Sequence, residues 1–134
     1  MIKHTQVRHL SIGIERDRDA VYAFASRPEN LPQWASGVGT GITRKGDHWE
    51  LDTEHGKFRL DFEPQNKLGV MDHTVTLGDG SQVYVPMRAL ANGAGTEVVI
   101  TLYRQPEMDD AAFEKDAKTI SGDLAALKKV LEKK

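Results

Sequence analysis

Polar and apolar residues alternate from His4 to Glu15. Leu10, Ile12 and Ile14 fall on one face and His9, Ser11 and Gly13 on the other, which predicts a strand with one buried side. Asp17 then offers a helix N-cap. Ala20, Val21, Phe24 and Ala25 follow at helical spacing, and Pro28 closes that segment. Asn30 is placed to cap a second short helix, with Leu31 and Trp34 one turn apart and Pro32 in the first turn, where a missing N–H costs nothing.

Between Gly37 and Arg104 the period changes to two. In HWELDT, Trp49, Leu51 and Thr53 oppose His48, Glu50 and Asp52; in KFRLDF, Phe58, Leu60 and Phe62 oppose Lys57, Arg59 and Asp61. His55-Gly56, the GDG at Gly78 to Gly80 and the NGAG at Asn92 to Gly95 supply turns, so an antiparallel meander in sequential order is expected. Val83, Val85, Met87 and Ala89 share one face, as do Val98, Ile100 and Leu102. Pro86 cannot donate to a ladder and marks a bulge, an edge or a bend. The last third returns to helical spacing: Phe113, Ala117, Ile120, Leu124, Leu127 and Leu131 describe one amphipathic helix from Asp110 to Glu132. Asp109 is its N-cap, Met108 and Phe113 form a hydrophobic staple, and the lysines at its end suit the macrodipole.

With 134 residues, a single domain spanning 1–134 is expected. The absence of cysteine excludes disulfides, thiolate metal sites and thiol catalysis. A formal charge of −2 argues against a nucleic-acid partner, which calls for a basic surplus. No apolar run approaches the ~18 residues of a membrane span, and the opening residues lack the signature of a secretory leader, so a cytoplasmic protein without integral membrane association is expected. The five histidines show no HExxH and no i, i+4 helical pair, so neither metal nor cofactor is predicted. GVGTG, at Gly37 to Gly41, has neither P-loop nor Rossmann spacing and reads as the start and bend of a strand. No GxSxG surrounds a serine.

The order of strand, two short helices, meander and long C-terminal helix is that of the helix-grip fold. The stretch HLSIGIERDRDAVYAFASRPENLPQWASGV resembles the opening of the SRPBCC superfamily, which includes START domains, birch-pollen-allergen relatives and polyketide cyclase-like proteins. Val21, Phe24, Pro28, Asn30, Leu31, Pro32 and Trp34 carry the likeness, and the chain from Thr96 to Glu132 is similar to bacterial members. The resemblance implies an α+β fold in which a curved antiparallel sheet of about six to seven strands wraps the last helix, with two short helices after the first strand. It implies a cavity and not a reaction, because the superfamily mixes carriers, cyclases, dehydratases and chaperone regulators on one scaffold.

In such a fold the dry faces become the cavity wall. They nominate Trp49, Leu51, Phe58, Leu60, Phe62, Val83, Val85 and Met87 from the sheet and Phe113, Ile120 and Leu124 from the helix, with Trp34 near the mouth. Each, taken singly, also reads as ordinary core. His73 shares the parity of Met71 and Val75 and is therefore pointed inward, where a buried imidazole needs a polar partner, a water or a ligand group. Asp72 has the opposite parity and is expected to face outward, in a structural pair with Arg59 or Arg88. If Pro86 reverses parity locally, Arg88 or Tyr103 becomes a polar anchor inside the cavity.

The expected function is binding of a hydrophobic or amphipathic small molecule by a monomer or homodimer. Two alternatives remain open. One is a cyclase- or dehydratase-type enzyme with His73 as general acid or base and Tyr103 or Arg88 at the oxyanion. The other is an interaction domain like the chaperone regulators, its cavity filled by side chains.

Overall fold

The computed structural model describes residues 3–38 and 41–134. Strand β1 (Val7–Ile14) leads to helix α1 (Arg18–Ala25), whose N-cap Asp17 accepts a hydrogen bond from the Ala20 amide at 3.1 Å. The second short helix is a 3-10 turn, Pro28–Gln33, followed by another at Ser36–Val38. Asn30 does not cap it. The Asn30 side chain instead donates back to the Phe24 carbonyl at 3.1 Å, tying this turn to the end of α1.

Seven strands follow: β2 (Gly41–Lys45), β3 (His48–Thr53), β4 (Gly56–Phe62), β5 (His73–Thr76), β6 (Gln82–Val85), β7 (Met87–Asn92) and β8 (Gly95–Tyr103). Helix α2 (Asp110–Glu132) ends the chain. The GVGTG stretch read as a strand start includes residues 39 and 40, which lie outside the described residues; β2 begins at Gly41.

Among the described residues the eight strands form two antiparallel ladders rather than one sheet: β1-β8-β7 and β2-β3-β4-β5-β6. Their junction is Pro86. The residues before it pair with β5 and those after it with β8, and the Pro86 carbonyl still accepts from the Thr101 amide at 3.0 Å. Proline has no N–H to give a ladder, so the chain changes partners there and bends. The β3–β4 turn also differs by one residue from expectation. Glu54 and His55 make it, while Gly56, at φ +104°, already pairs with Thr53.

The other edge of β7 is taken by the segment before β5. Ala89 donates its amide to Gly69 at 2.9 Å and Met71 donates to Met87 at 2.8 Å. Gly69 has φ +74°, and a Cβ there would run into the Ala89 carbonyl, so only glycine allows this approach. The crossing from β7 to the β4–β6 ladder falls between Met71 and His73, which fixes where Asp72 and His73 sit.

Helix α2 is capped by the Asp109 carboxylate, which accepts from the Ala112 amide at 2.8 Å, and Met108 packs on Phe113 as a staple. Leu124, Leu127 and Leu131 enter the main core with Ile14, Val21, Ala25, Leu51, Leu60 and Met87. Each of these buried side chains larger than alanine contributes about 1.5–3 kcal/mol relative to exposure.

Candidate functional site: a cavity between the sheet and the last helix

A cavity of about 280 Å³ lies where the two ladders, the 3-10 turns and α2 converge. Its sheet wall is Leu51, Phe58, Leu60, His73, Val75, Val85, Met87 and Ile100; Leu31, Trp34, Ala35, Gly37 and Val38 cover it; Ile120 and Asp123 close it from α2. The wall is mostly hydrocarbon because β3 to β7 turn one parity inward and the covering turns contribute buried Leu31, Trp34 and Val38. A larger hollow of about 480 Å³ opens between Gly13–Glu15 and Asn92–Thr96. It is a surface cleft, and its Lys128 ammonium is already engaged by the Gly13 carbonyl at 2.8 Å and by Glu132 at 2.7 Å.

Three polar groups interrupt the apolar lining. His73 is held through Nδ1, 3.0 Å from the Met71 carbonyl oxygen. A carbonyl only accepts, so Nδ1 carries the proton, and Nε2 is left as an acceptor without a hydrogen-bond partner among the described residues. The Phe62 ring stacks on the imidazole, centroids 4.6 Å apart and planes within 5°. Burial pushes the His73 pKa below the ordinary histidine value, against the weaker opposing effects of the Met71 hydrogen bond and the Asp72 charge; the ring is neutral at neutral pH.

The second group is Trp34, only 6% exposed, whose Nε1–H has no acceptor; among the described residues it is the one buried side-chain polar atom left without a partner. The third is Asp123. Its Oδ1 accepts from the Ser36 amide at 3.1 Å, tying the covering turn to α2, and burial raises its pKa above the ordinary aspartate value although that bond opposes the shift. Asp123 was missed by sequence reasoning, although the signal was present: it stands three residues after Ile120 and four before Leu127, an acid inside the apolar stripe.

Of the nominated wall, Trp34, Leu51, Phe58, Leu60, His73, Val85, Met87 and Ile120 line this cavity. Trp49 and Phe62 do not. Trp49 pairs across the ladder with Leu60 and Phe62 stands two residues past Leu60 on β4, and both line a separate groove with Arg27, Pro28, Arg44 and Gln65; Arg44 stands 6.0 Å over the Trp49 ring. Phe113 is also outside, in a cluster with Leu102 and Ala117 under the Arg104 guanidinium, because α2 is longer than the cavity and only its middle faces it. Val83 and Leu124 are likewise absent from the lining.

Arg88 and Tyr103 are not anchors inside the cavity. The strand bends at Pro86 without gaining a residue, so parity is kept and both remain on the opposite face. There Asp72 accepts four hydrogen bonds: from Met87 N at 2.8 Å, Arg88 Nε at 2.9 Å, Arg88 Nη2 at 2.8 Å and Tyr84 Oη at 3.0 Å. Tyr103 stacks on Tyr84 at 6.3 Å. Asp72 faces away from the cavity as expected, and Arg88 is its partner; Arg59 pairs with Asp61 instead. Yet Asp72 is 8% exposed, buried by its own donors rather than solvated. The Arg88 guanidinium first, then the Met87 amide and Tyr84, hold its carboxyl below the usual range against the opposing effect of burial.

Among the described residues no group of three or more His, Asp or Glu side chains could hold a metal ion, and no helix is long and apolar enough to cross a membrane.

No family model and no curated protein sequence matches the chain. Solved structures do. A START superfamily protein from Mycobacterium smegmatis superposes with a TM-score of 0.73 at 16% identity, over 95% of this chain and 97% of that one. Aha1 from Colwellia psychrerythraea, solved as a dimer, gives 0.73 at 15% identity over 95% and 96%. DynU16, from the dynemicin biosynthetic locus, gives 0.71 at 15% identity over 94% of this chain and 47% of that longer one. Likeness at this identity is a likeness of fold, and the chain accordingly has the α+β helix-grip fold of the START and SRPBCC-type proteins.

Proposed function

We propose that this protein binds a small, predominantly apolar molecule in the cavity between its sheet and α2, acting in the cytoplasm as a monomer or homodimer. The observation that carries the reading is a largely hydrocarbon-lined cavity bordered by Trp34 and His73, whose Nε1 and Nε2 have no protein partner among the described residues. Buried polar groups are rarely left unpaired, and one that is, as at Trp34 Nε1, costs about 1–3 kcal/mol. A ligand supplying both would recover that cost in addition to the burial of its own apolar surface. The chaperone-regulator alternative expects a cavity filled by side chains; an open volume of about 280 Å³ favours the binding reading.

An enzymatic reading keeps one supporting feature, a neutral His73 with a free Nε2 fit to take a proton. It has lost the two oxyanion candidates, since Arg88 is committed to Asp72 and Tyr103 to Tyr84 on the far face.

Native mass spectrometry of freshly purified protein, beside its denatured mass, tests the proposal: a released molecule of small mass is expected. Val85→Trp is the companion variant. It should abolish retention while costing less than about 1 kcal/mol of stability, because Val85 lines the cavity and is only part-buried; a cost of about 1–3 kcal/mol would mean an overpacked, closed core and would count against a cavity.

A further inference from the structure

The polar inventory of the cavity narrows what it takes. Among the described residues no lysine or arginine lines it. The basic side chains adjacent in sequence to its wall are exposed on the other face and already paired: Arg88 by a bidentate bond to Asp72, Arg59 by one to Asp61, and Lys57 by Glu50 and Asp52. An anionic ligand would therefore enter without a counter-charge and would meet the Asp123 carboxylate on the α2 side. Burying an unpaired charge costs far more than burying a hydroxyl.

The remaining groups have definite hydrogen-bonding senses. His73 spends its N–H on the Met71 carbonyl, so Nε2 can only accept, and it asks for a donor. Trp34 Nε1–H can only donate, and it asks for an acceptor. A hydroxyl group is both in one atom, and a second oxygen elsewhere on the ligand would serve as well. Size adds a limit: an apolar protein cavity of about 150 Å³ holds benzene, so 280 Å³ has room for two fused rings or their equivalent. It is below the range of about 300–1,000 Å³ usual for drug-sized ligands.

We infer that the cavity selects an uncharged, compact, hydroxylated ring compound, its O–H donated to His73 Nε2 and an oxygen accepting from Trp34 Nε1, and that Asp123 with the absence of any lining cation excludes carboxylates of the same shape. This inference rests on the binding proposal above and specifies its ligand class. It also sets aside the conditional expectation in which a parity reversal at Pro86 would have brought Arg88 into the cavity as a polar anchor.

Three probes of nearly constant shape test it by titration calorimetry at neutral pH: 2-naphthol, 2-methoxynaphthalene and 2-naphthoate. The expected order places 2-naphthol first. Its methyl ether, which keeps the oxygen and lacks the donor, should bind roughly three- to tenfold more weakly, the worth of one neutral hydrogen bond, and naphthoate at least tenfold more weakly. In His73→Leu the naphthol and ether affinities should converge. In Asp123→Asn, which retains an acceptor for the Ser36 amide, the naphthoate-to-naphthol affinity ratio should rise. Naphthoate binding as tightly as naphthol, or an unchanged naphthol-to-ether ratio in His73→Leu, overturns the selectivity while leaving the cavity reading intact. Binding of none of the three, with Val85→Trp as stable as the parent protein, overturns this ligand class but not the open space. No binding together with strong destabilisation by Val85→Trp overturns both.

Discussion

Asp72 and His73 are consecutive residues at one strand crossover, yet they belong to two different kinds of polar site. On the outer face Asp72 has four donors on its two oxygens, two each, and is as saturated as a carboxylate can be. On the inner face His73 has one bond and one idle nitrogen. The outer cluster ties β6, β7 and the incoming segment together where Pro86 has interrupted the ladder, so its chemistry is spent on structure. Valence left over, as at His73 and Trp34, is what a ligand can use. Burial alone does not separate the two sites; hydrogen-bond saturation does.

The comparison is most exposed to failure at Asp72. Replacing it with Ala should cost about 2–4 kcal/mol, since the amide of fully buried Met87 loses its acceptor and Arg88 loses a bidentate partner. Urea denaturation measures this, and a loss under about 1 kcal/mol would mean that the cluster is not the joint described. Asp72→Asn, which keeps an acceptor oxygen, should lose less.

The pH dependence sharpens the contrast next. His73 is depressed in the folded state, so its contribution to stability is complete above the ordinary histidine value of 6.5 and is lost as pH falls from there through the folded value. Asp72 is depressed from 3.8 and acts the same way, but only in strong acid. Removing the inner group should therefore matter in mild acid: from about pH 7.5 to about pH 5, the urea midpoint of His73→Leu should move upward relative to the parent protein. A constant gap between the two would show that His73 is not the buried neutral group described.

Asp123 gives the smallest effect and the opposite sign. Burial raises its pKa above 3.8, so its contribution is present below that pH and lost as pH rises through the folded value; ionised, it is a net cost. Asp123→Asn should stabilise the protein at neutral pH by up to about 1 kcal/mol, with the gain vanishing near about pH 3. Thermal melts at the two pH values check it, and destabilisation at neutral pH would mean that the Ser36 contact outweighs the desolvation.

Much of the architecture was legible because it rests on local rules. Strand parity put His73 inward and Asp72 outward; Asp17 and Asp109 cap their helices as their neighbours in sequence suggest; Pro86 marked the bend. Legibility stopped where partners are distant in sequence. Asn30, shaped like a cap, was claimed by the Phe24 carbonyl instead. Trp49, Phe62 and Phe113 obey the same parity or periodicity as true lining residues, but periodicity assigns a face and not a position along it.

Sequence by itself determined the fold class, the element order and the inward-facing set, because hydrophobic period, caps and turn residues act over a few neighbouring positions. Tertiary structure alone decided which inward residues border open space. It also decided that Pro86 changes the ladder's partner without changing parity, and that Trp34 and His73 keep a hydrogen bond in reserve. Those outcomes depend on which groups meet across the fold, and a buried polar group becomes a site only when none of them satisfies it.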